Sequence, residues 1–108
     1  MNIRWTLPAA NQLRNIFDYI ANDNPGAAAR TVQRIRKAIH QVARMPHAAR
    51  IGRVAGTREI TVPGTSYLVA YSVVENMIHV LAILHGAQDW PGSFLGEGTP
   101  PEGGRNRP

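Results

Sequence analysis

Between Gly56 and Pro91 the chain reads as three consecutive β-strands whose residues are apolar on both faces, ending in His85-Gly86-Ala87-Gln88-Asp89-Trp90-Pro91. Thr57 to Val62 forms the first strand. Pro63-Gly64 suits the centre of a type II turn, with Pro presetting φ and Gly accepting a positive φ. Tyr67 to Val74 forms the second strand, Glu75-Asn76 a two-residue hairpin turn, and Met77 to His85 the third. In that last strand Ile78, Val80, Ala82 and Leu84 share one parity, while Met77, His79, Leu81, Ile83 and His85 share the other. A strand apolar on both sides belongs in the centre of a sheet covered on both faces.

The upstream half supplies cover for one face. Ile3 to Trp5 makes a short first strand, Thr6 an N-cap, and Pro8 sits in the first turn, where its missing N–H costs nothing. Leu13, Ile16, Phe17 and Ile20 follow one helical face and predict a helix from about Leu7 to Asn22. Asp23-Asn24-Pro25-Gly26 combines a turn, a cap and a proline at a helix start. Ala28, Val32, Ile35, Ile39 and Val42 then mark a second helix that stops near Met45, because Pro46 disfavours helical geometry in the residue before it. So short a connection makes an antiparallel helical hairpin. One hairpin covers one face of a sheet, so the apolar residues of the other face are expected to stay open for a partner. A homodimer through that face is the simpler occupant.

The length of 108 residues fits one modest core, with about a third of the unfolded chain's surface left exposed on folding. Twelve Lys+Arg against seven Asp+Glu give a formal charge of +5, which favours acidic partners. The absence of cysteine removes disulfides and thiolate metal sites. No N-terminal signal-peptide core is visible, and no apolar run approaches the roughly 18 residues of a membrane span, so a soluble cytoplasmic protein is expected. His40, His47, His79 and His85 show no i, i+4 pair, and the glycines are spaced as turn residues, so no metal and no cofactor is expected.

The second helix carries Arg30, Arg34, Lys37, Gln41 and Arg44 along a stripe roughly opposite its apolar face. Such a stripe is either a solvated surface or a docking face for an acidic partner, to which Arg30, Arg34, Lys37 and Arg44 are assigned. His47 to Gly56, with Arg50 and Arg53, reads as a basic loop. From Gly92 to Pro108 the composition is Gly, Pro and polar residues around Phe94 and Leu95, and this tail is expected to be disordered.

Gly56-Thr57-Arg58-Glu59-Ile60, Pro63-Gly64-Thr65-Ser66-Tyr67-Leu68-Val69-Ala70-Tyr71 and Leu84-His85-Gly86-Ala87-Gln88-Asp89-Trp90, in this order of elements, resemble the RelE/ParE superfamily of toxins from bacterial type II toxin–antitoxin modules. The resemblance spans residues 1 to 91, taken as the toxin domain. It implies an α+β fold: an N-terminal strand and an antiparallel helical hairpin packed on a mainly antiparallel sheet of about four strands. It also implies a growth inhibitor neutralised by a cognate antitoxin that wraps around it.

Two mechanisms divide the superfamily: RelE-like members cut mRNA at the ribosome, and ParE-like members inhibit DNA gyrase. By that resemblance Arg58 and His85 are the catalytic candidates of a metal-independent endoribonuclease. Arg58 would hold a phosphate and His85, titrating near neutrality, would move a proton. Alternatively Arg58 pairs with Glu59, and His85 is structural. Arg50, Arg53, Tyr67 and Gln88 are assigned to target contact; Tyr67 and Tyr71 either stack on a base or pack. Gln88, Asp89 and Trp90 are expected to form a C-terminal cap, with Trp90 against the first helix.

The chain departs from the nuclease pattern where Leu68 stands in place of arginine, and where Gly86 and Ala87 replace further cations. Loss of one such charge contact costs a factor of about a hundred or more in rate. The balance points to ParE-like inhibition of gyrase, with mRNA cleavage as the alternative and a non-toxic basic nucleic-acid-binding module as a third reading.

Overall fold

The structure, a computed structural model, describes residues 1–86. Gln88, the cap with Asp89 and Trp90, the domain limit at 91 and the tail from 92 to 108 lie outside the described residues. The order of elements is β1 (Asn2–Trp5), α1 (Leu7–Ala21), α2 (Pro25–Arg44), β2 (Arg50–Ile51), β3 (Arg58–Thr61), β4 (Tyr67–Val74) and β5 (Met77–His85).

Both helices start where side-chain chemistry places them. Thr6 accepts the Ala9 N–H at 3.3 Å through its hydroxyl, which also donates to the Val80 carbonyl at 2.8 Å, so the cap of α1 is tied to β5. Asn24 caps α2 by accepting the Ala27 N–H at 3.0 Å. The α2 helix buries Ala28, Ile35, Ala38, Ile39 and Val42, while α1 buries only Ala9 and Leu13. Phe17, placed by periodicity on the inner face of α1, is 38% exposed.

The sheet order is β1-β5-β4-β3-β2, with β1 parallel to β5 and the other pairs antiparallel. It has five strands where about four were expected. The fifth, β2, lies in the segment read as a loop: Arg50 pairs with Glu59 and Ile51 with Arg58. Two residues carry no periodicity, so only their neighbours reveal a strand.

The hairpin of β4 and β5 turns through Glu75 and Asn76, both at positive φ (51° and 67°), as a type I′ turn requires. Its register shifts once. Ala70 faces Ala82 and Tyr71 faces Val80, leaving Leu81 as an extra residue in β5. β5 is the central strand covered on both faces that its composition predicts, but the bulge corrects the parity grouping, since Ile78, Val80, Ala82 and Leu84 do not share one face. Ile78 and Val80 face the helices before the bulge; after it Ile83 takes that side, and Ala82 and Leu84 turn to the opposite face. Beyond the end of β1 the Ile83 N–H is taken by the Gln12 side-chain oxygen at 2.8 Å, so α1 closes that edge.

The opposite face is not the open apolar surface expected. Leu68, Ala70, Ala82 and Leu84 are each no more than 2% exposed, with Val54 and Leu81 packed against them. The cluster is small because two of its four members are alanine, and the loop carrying Val54 reaches it.

Gly64 and Gly56 both hold positive φ, 78° and 80°. A Cβ at Gly56 would meet nothing within 4 Å, whereas at Gly64 it would collide with the Arg34 guanidinium. Gly56→Ala should therefore cost about 1 kcal/mol from backbone conformation alone. Gly64→Ala should cost about 0.5–1 kcal/mol more, because Arg34 must also release the Gly64 carbonyl. Urea unfolding of the two variants side by side measures the difference.

Candidate functional site

The candidate residues separate onto the two faces of the sheet. Directly opposed residues in an antiparallel pair share a face, so Arg58, opposite Tyr71, lies on the helix side. Its guanidinium donates to the carbonyls of Ala49 at 2.7 Å and His47 at 3.1 Å, tying down the segment between α2 and β2. The Tyr71 hydroxyl donates to the Pro46 carbonyl at 2.7 Å in the same place. Burial pushes the Tyr71 pKa up, and the nearby Arg58 charge opposes that rise. Tyr71 is 1% exposed and belongs to the core.

At the far end of β4, Tyr67 meets His85 edge to face, with ring centroids 5.8 Å apart and planes at 84°. His85 is exposed, and its register partner is Tyr67. Arg58 and His85 are thus four residues apart along β4 and separated by two strand spacings, a backbone distance of roughly 16 Å. The fold does not bring the two catalytic candidates together.

Arg50 and Arg53, assigned to target contact, converge on Glu59, the carboxylate that the sequence offered as one alternative partner for Arg58. Glu59, 3% exposed, accepts from Arg50 Nη2 at 3.3 Å, from Arg53 Nε at 3.0 Å and from the Arg53 backbone N–H at 3.0 Å. A buried carboxylate needs such partners, since an unpaired one would neutralise itself or unfold the site. The clasp draws the loop after β2 inward. Gly52, whose N–H bonds the Thr57 carbonyl at 2.8 Å, lies so close to Thr57 that a Cβ would collide with its side chain. Glu59 faces the same side as Ala70, so the loop lays Val54 over the second cluster. Periodicity could not mark Glu59 as buried; an acidic residue beside two nearby arginines was the available signal.

On α2, Arg34 donates to the Gly64 carbonyl at 3.1 Å and Arg36 lies over the Trp5 ring, 5.7 Å from its centroid. Arg30, Lys37 and Arg44 are exposed. Two hollows flank this helix. One of about 430 Å³ lies between the helices, lined by Trp5, Leu13, Arg14, Phe17 and Val32. Another of about 410 Å³ lies between α2 and the turn after β3, lined by Arg34, Lys37, Gln41, Pro63 and Gly64.

Residues 3–90 match the family described as the ParE toxin of type II toxin–antitoxin systems, parDE. The chain belongs to that family. Among its relatives is Y4kP of Sinorhizobium fredii, whose name describes it as a candidate toxin; it is 39% identical over 89 residues, 82% of this chain and 92% of that protein. Toxin RelE2 of Caulobacter vibrioides is 31% identical over 84 residues, covering 78% of this chain and 93% of that protein. A chain in the solved structure of the chromosomal ParDE TA system from P. aeruginosa superposes with a TM-score of 0.69 at 28% identity, covering 77% of this chain and 92% of that one. This ParE-family chain is therefore a type II toxin of the RelE/ParE superfamily. No described helix is long and apolar enough to cross a membrane.

Glu59→Gln should destabilise this ParE-family fold by about 2 kcal/mol, the range for hydrogen bonds to a charged group, and expose apolar surface to a dye. Arg50→Ala, removing a 61% exposed partner, should cost less than about 1 kcal/mol. Tyr71 should titrate later than an exposed tyrosine in an ultraviolet pH titration. Because its folded pKa is raised, its contribution is complete below the unfolded value of about 10 and is lost as pH rises through the folded one, so stability should fall in that alkaline window.

Proposed function

We propose that this toxin inhibits DNA gyrase without cutting nucleic acid, acts in the cytoplasm, and is neutralised by a cognate antitoxin. The observation that carries the reading is the composition of the sheet face opposite the helices. Leu68, at the position where nuclease members of the superfamily carry arginine, is buried there with Ala70, Ala82 and Leu84. Cleavage of RNA without a metal needs positive charge against the phosphate together with a proton-transfer group. Arg50 and Arg53, at the β2 side of this face, are engaged by Glu59. Arg58 is engaged on the other face by two carbonyls, roughly 16 Å from His85. Likeness to a ParDE system supports the antitoxin as the neutralising partner.

Cleavage of mRNA at the ribosome is the second reading, favoured by the relative named RelE2. Membership in a toxin family weighs against the third, a non-toxic nucleic-acid-binding module.

Controlled expression without antitoxin distinguishes the mechanisms. Filamentation, SOS induction and gyrase-dependent DNA breaks are expected, with mRNA intact at ribosomes. His85→Ala should leave toxicity within about threefold of the parent, far from the hundredfold or greater loss that removing a catalytic group causes. Rapid ribosome-dependent mRNA cleavage, lost in His85→Ala, would replace this mechanism by the nucleolytic one.

A further inference from the structure

On the sheet face turned away from the helices, strand register lines up three polar side chains that are distant in the chain. Ile3 and Trp5 on β1, Tyr71 and Val73 on β4, and Ile78 and Val80 on β5 all pack on the helix side. By alternation the residues between them, Arg4, Ser72 and His79, lie on the other side. Arg4 is the register partner of His79 across the parallel pair, and Ser72 is its partner across the antiparallel one. The three form one row across neighbouring strands, with His79 in the middle and the strands about 4.8 Å apart.

This row has no acid to answer it. Arg4 is exposed and Ser72 and His79 are half-buried; among the described residues none pairs with any of the three side chains. β1, β4 and β5 contain no acidic residue. Glu59, on β3, is engaged by Arg50 and Arg53, and Glu75 lies in the turn beyond Val74. A guanidinium directly beside an imidazole is unfavourable whenever the ring is protonated, because like charges opposite one another repel. An anion seated over the pair turns that repulsion into attraction to a shared partner. All three groups can donate: Arg4 through its fork of N–H groups, His79 through a ring N–H and Ser72 through its hydroxyl.

We propose that Arg4, His79 and Ser72 form a binding site for a phosphate group. A tetrahedral oxyanion offers acceptor oxygens in several directions at once, which suits donors drawn from three strands better than the two oxygens of a carboxylate do. Arg4 grips two phosphate oxygens as a fork, His79 donates to the phosphate from the middle strand, and Ser72 closes the far side. The phosphate is a free ion or part of a nucleic-acid backbone, and the chemistry at the site is the same for both. The site goes beyond the proposed action on gyrase and stands whichever target the toxin has.

Titration of the full chain with inorganic phosphate, at an ionic strength held constant with chloride, tests the site by NMR. The resonances of the His79 ring and of the Arg4 side-chain N–H groups should move together and saturate, and chloride alone should leave them in place. Arg4→Gln should weaken the affinity about tenfold, the effect of losing a charge-assisted hydrogen bond, and Ser72→Ala about threefold. Arg14→Gln, on α1, should change it less than about twofold. A short DNA duplex used in place of phosphate identifies the source. A response to the duplex but not to the free ion assigns the site to a nucleic-acid backbone; a response to the free ion assigns it to phosphate itself. Resonances that stay in place with both probes, or that move equally with chloride, overturn the site, as does an Arg4→Gln chain that keeps the parent's affinity. The parent chain alone carries the first of these tests, so a variant that fails to fold does not remove it.

Discussion

The pairing of β4 with β5, and the single residue by which it slips, decides what every other part of the molecule touches. Because side chains alternate along a strand, the extra Leu81 reverses the facing of all that follows it. Before the slip β5 gives Ile78 and Val80 to the helices; after it Ile83 remains with them, and Ala82 and Leu84 join Leu68 and Ala70 behind the sheet. The same alternation puts Tyr67 and Tyr71 on the helix side, one at the start of β4 beside His85 and the other in mid-strand opposite Arg58. A strand apolar at successive positions is thus explained by a change of facing as well as by a covered second face.

Charge is distributed with equal consequence. Four of the seven acidic residues lie within the described part of the chain, and of these Glu59 is buried and engaged by two arginines. That carboxylate removes Arg50 and Arg53 from the supply of free cations and fastens the loop that carries Val54. Arg58 is spent on the backbone carbonyls that follow α2. Positive charge left for a partner is concentrated on the helix that has no acid of its own. A domain this small keeps a large fraction of its surface exposed, so binding a partner adds to its stability through mass action.

Much of the scaffold was legible before the structure because its signals are local. Thr6 and Asn24 cap helices as their side chains dictate; Pro63-Gly64 and Glu75-Asn76 turn the chain where φ demands it. Apolar spacing located α2 to within a residue of its end. β2 was missed because two residues have no period, and the pairing of Glu59 because an ion pair depends on which strands lie side by side. Phe17 was placed inward by a periodicity that fits the helix but says nothing of where the partner surface ends.

By itself the sequence determined the order of helices and strands, the turns between them, the excess of positive charge and the family likeness, all of which reside in residue type and near-neighbour spacing. Only the tertiary structure decided that the second sheet face is closed, that Arg50 and Arg53 serve Glu59, and that Arg58 and His85 stand apart. Those outcomes depend on strand register and on the desolvation of a carboxylate, and neither is a property of residues close together in the chain.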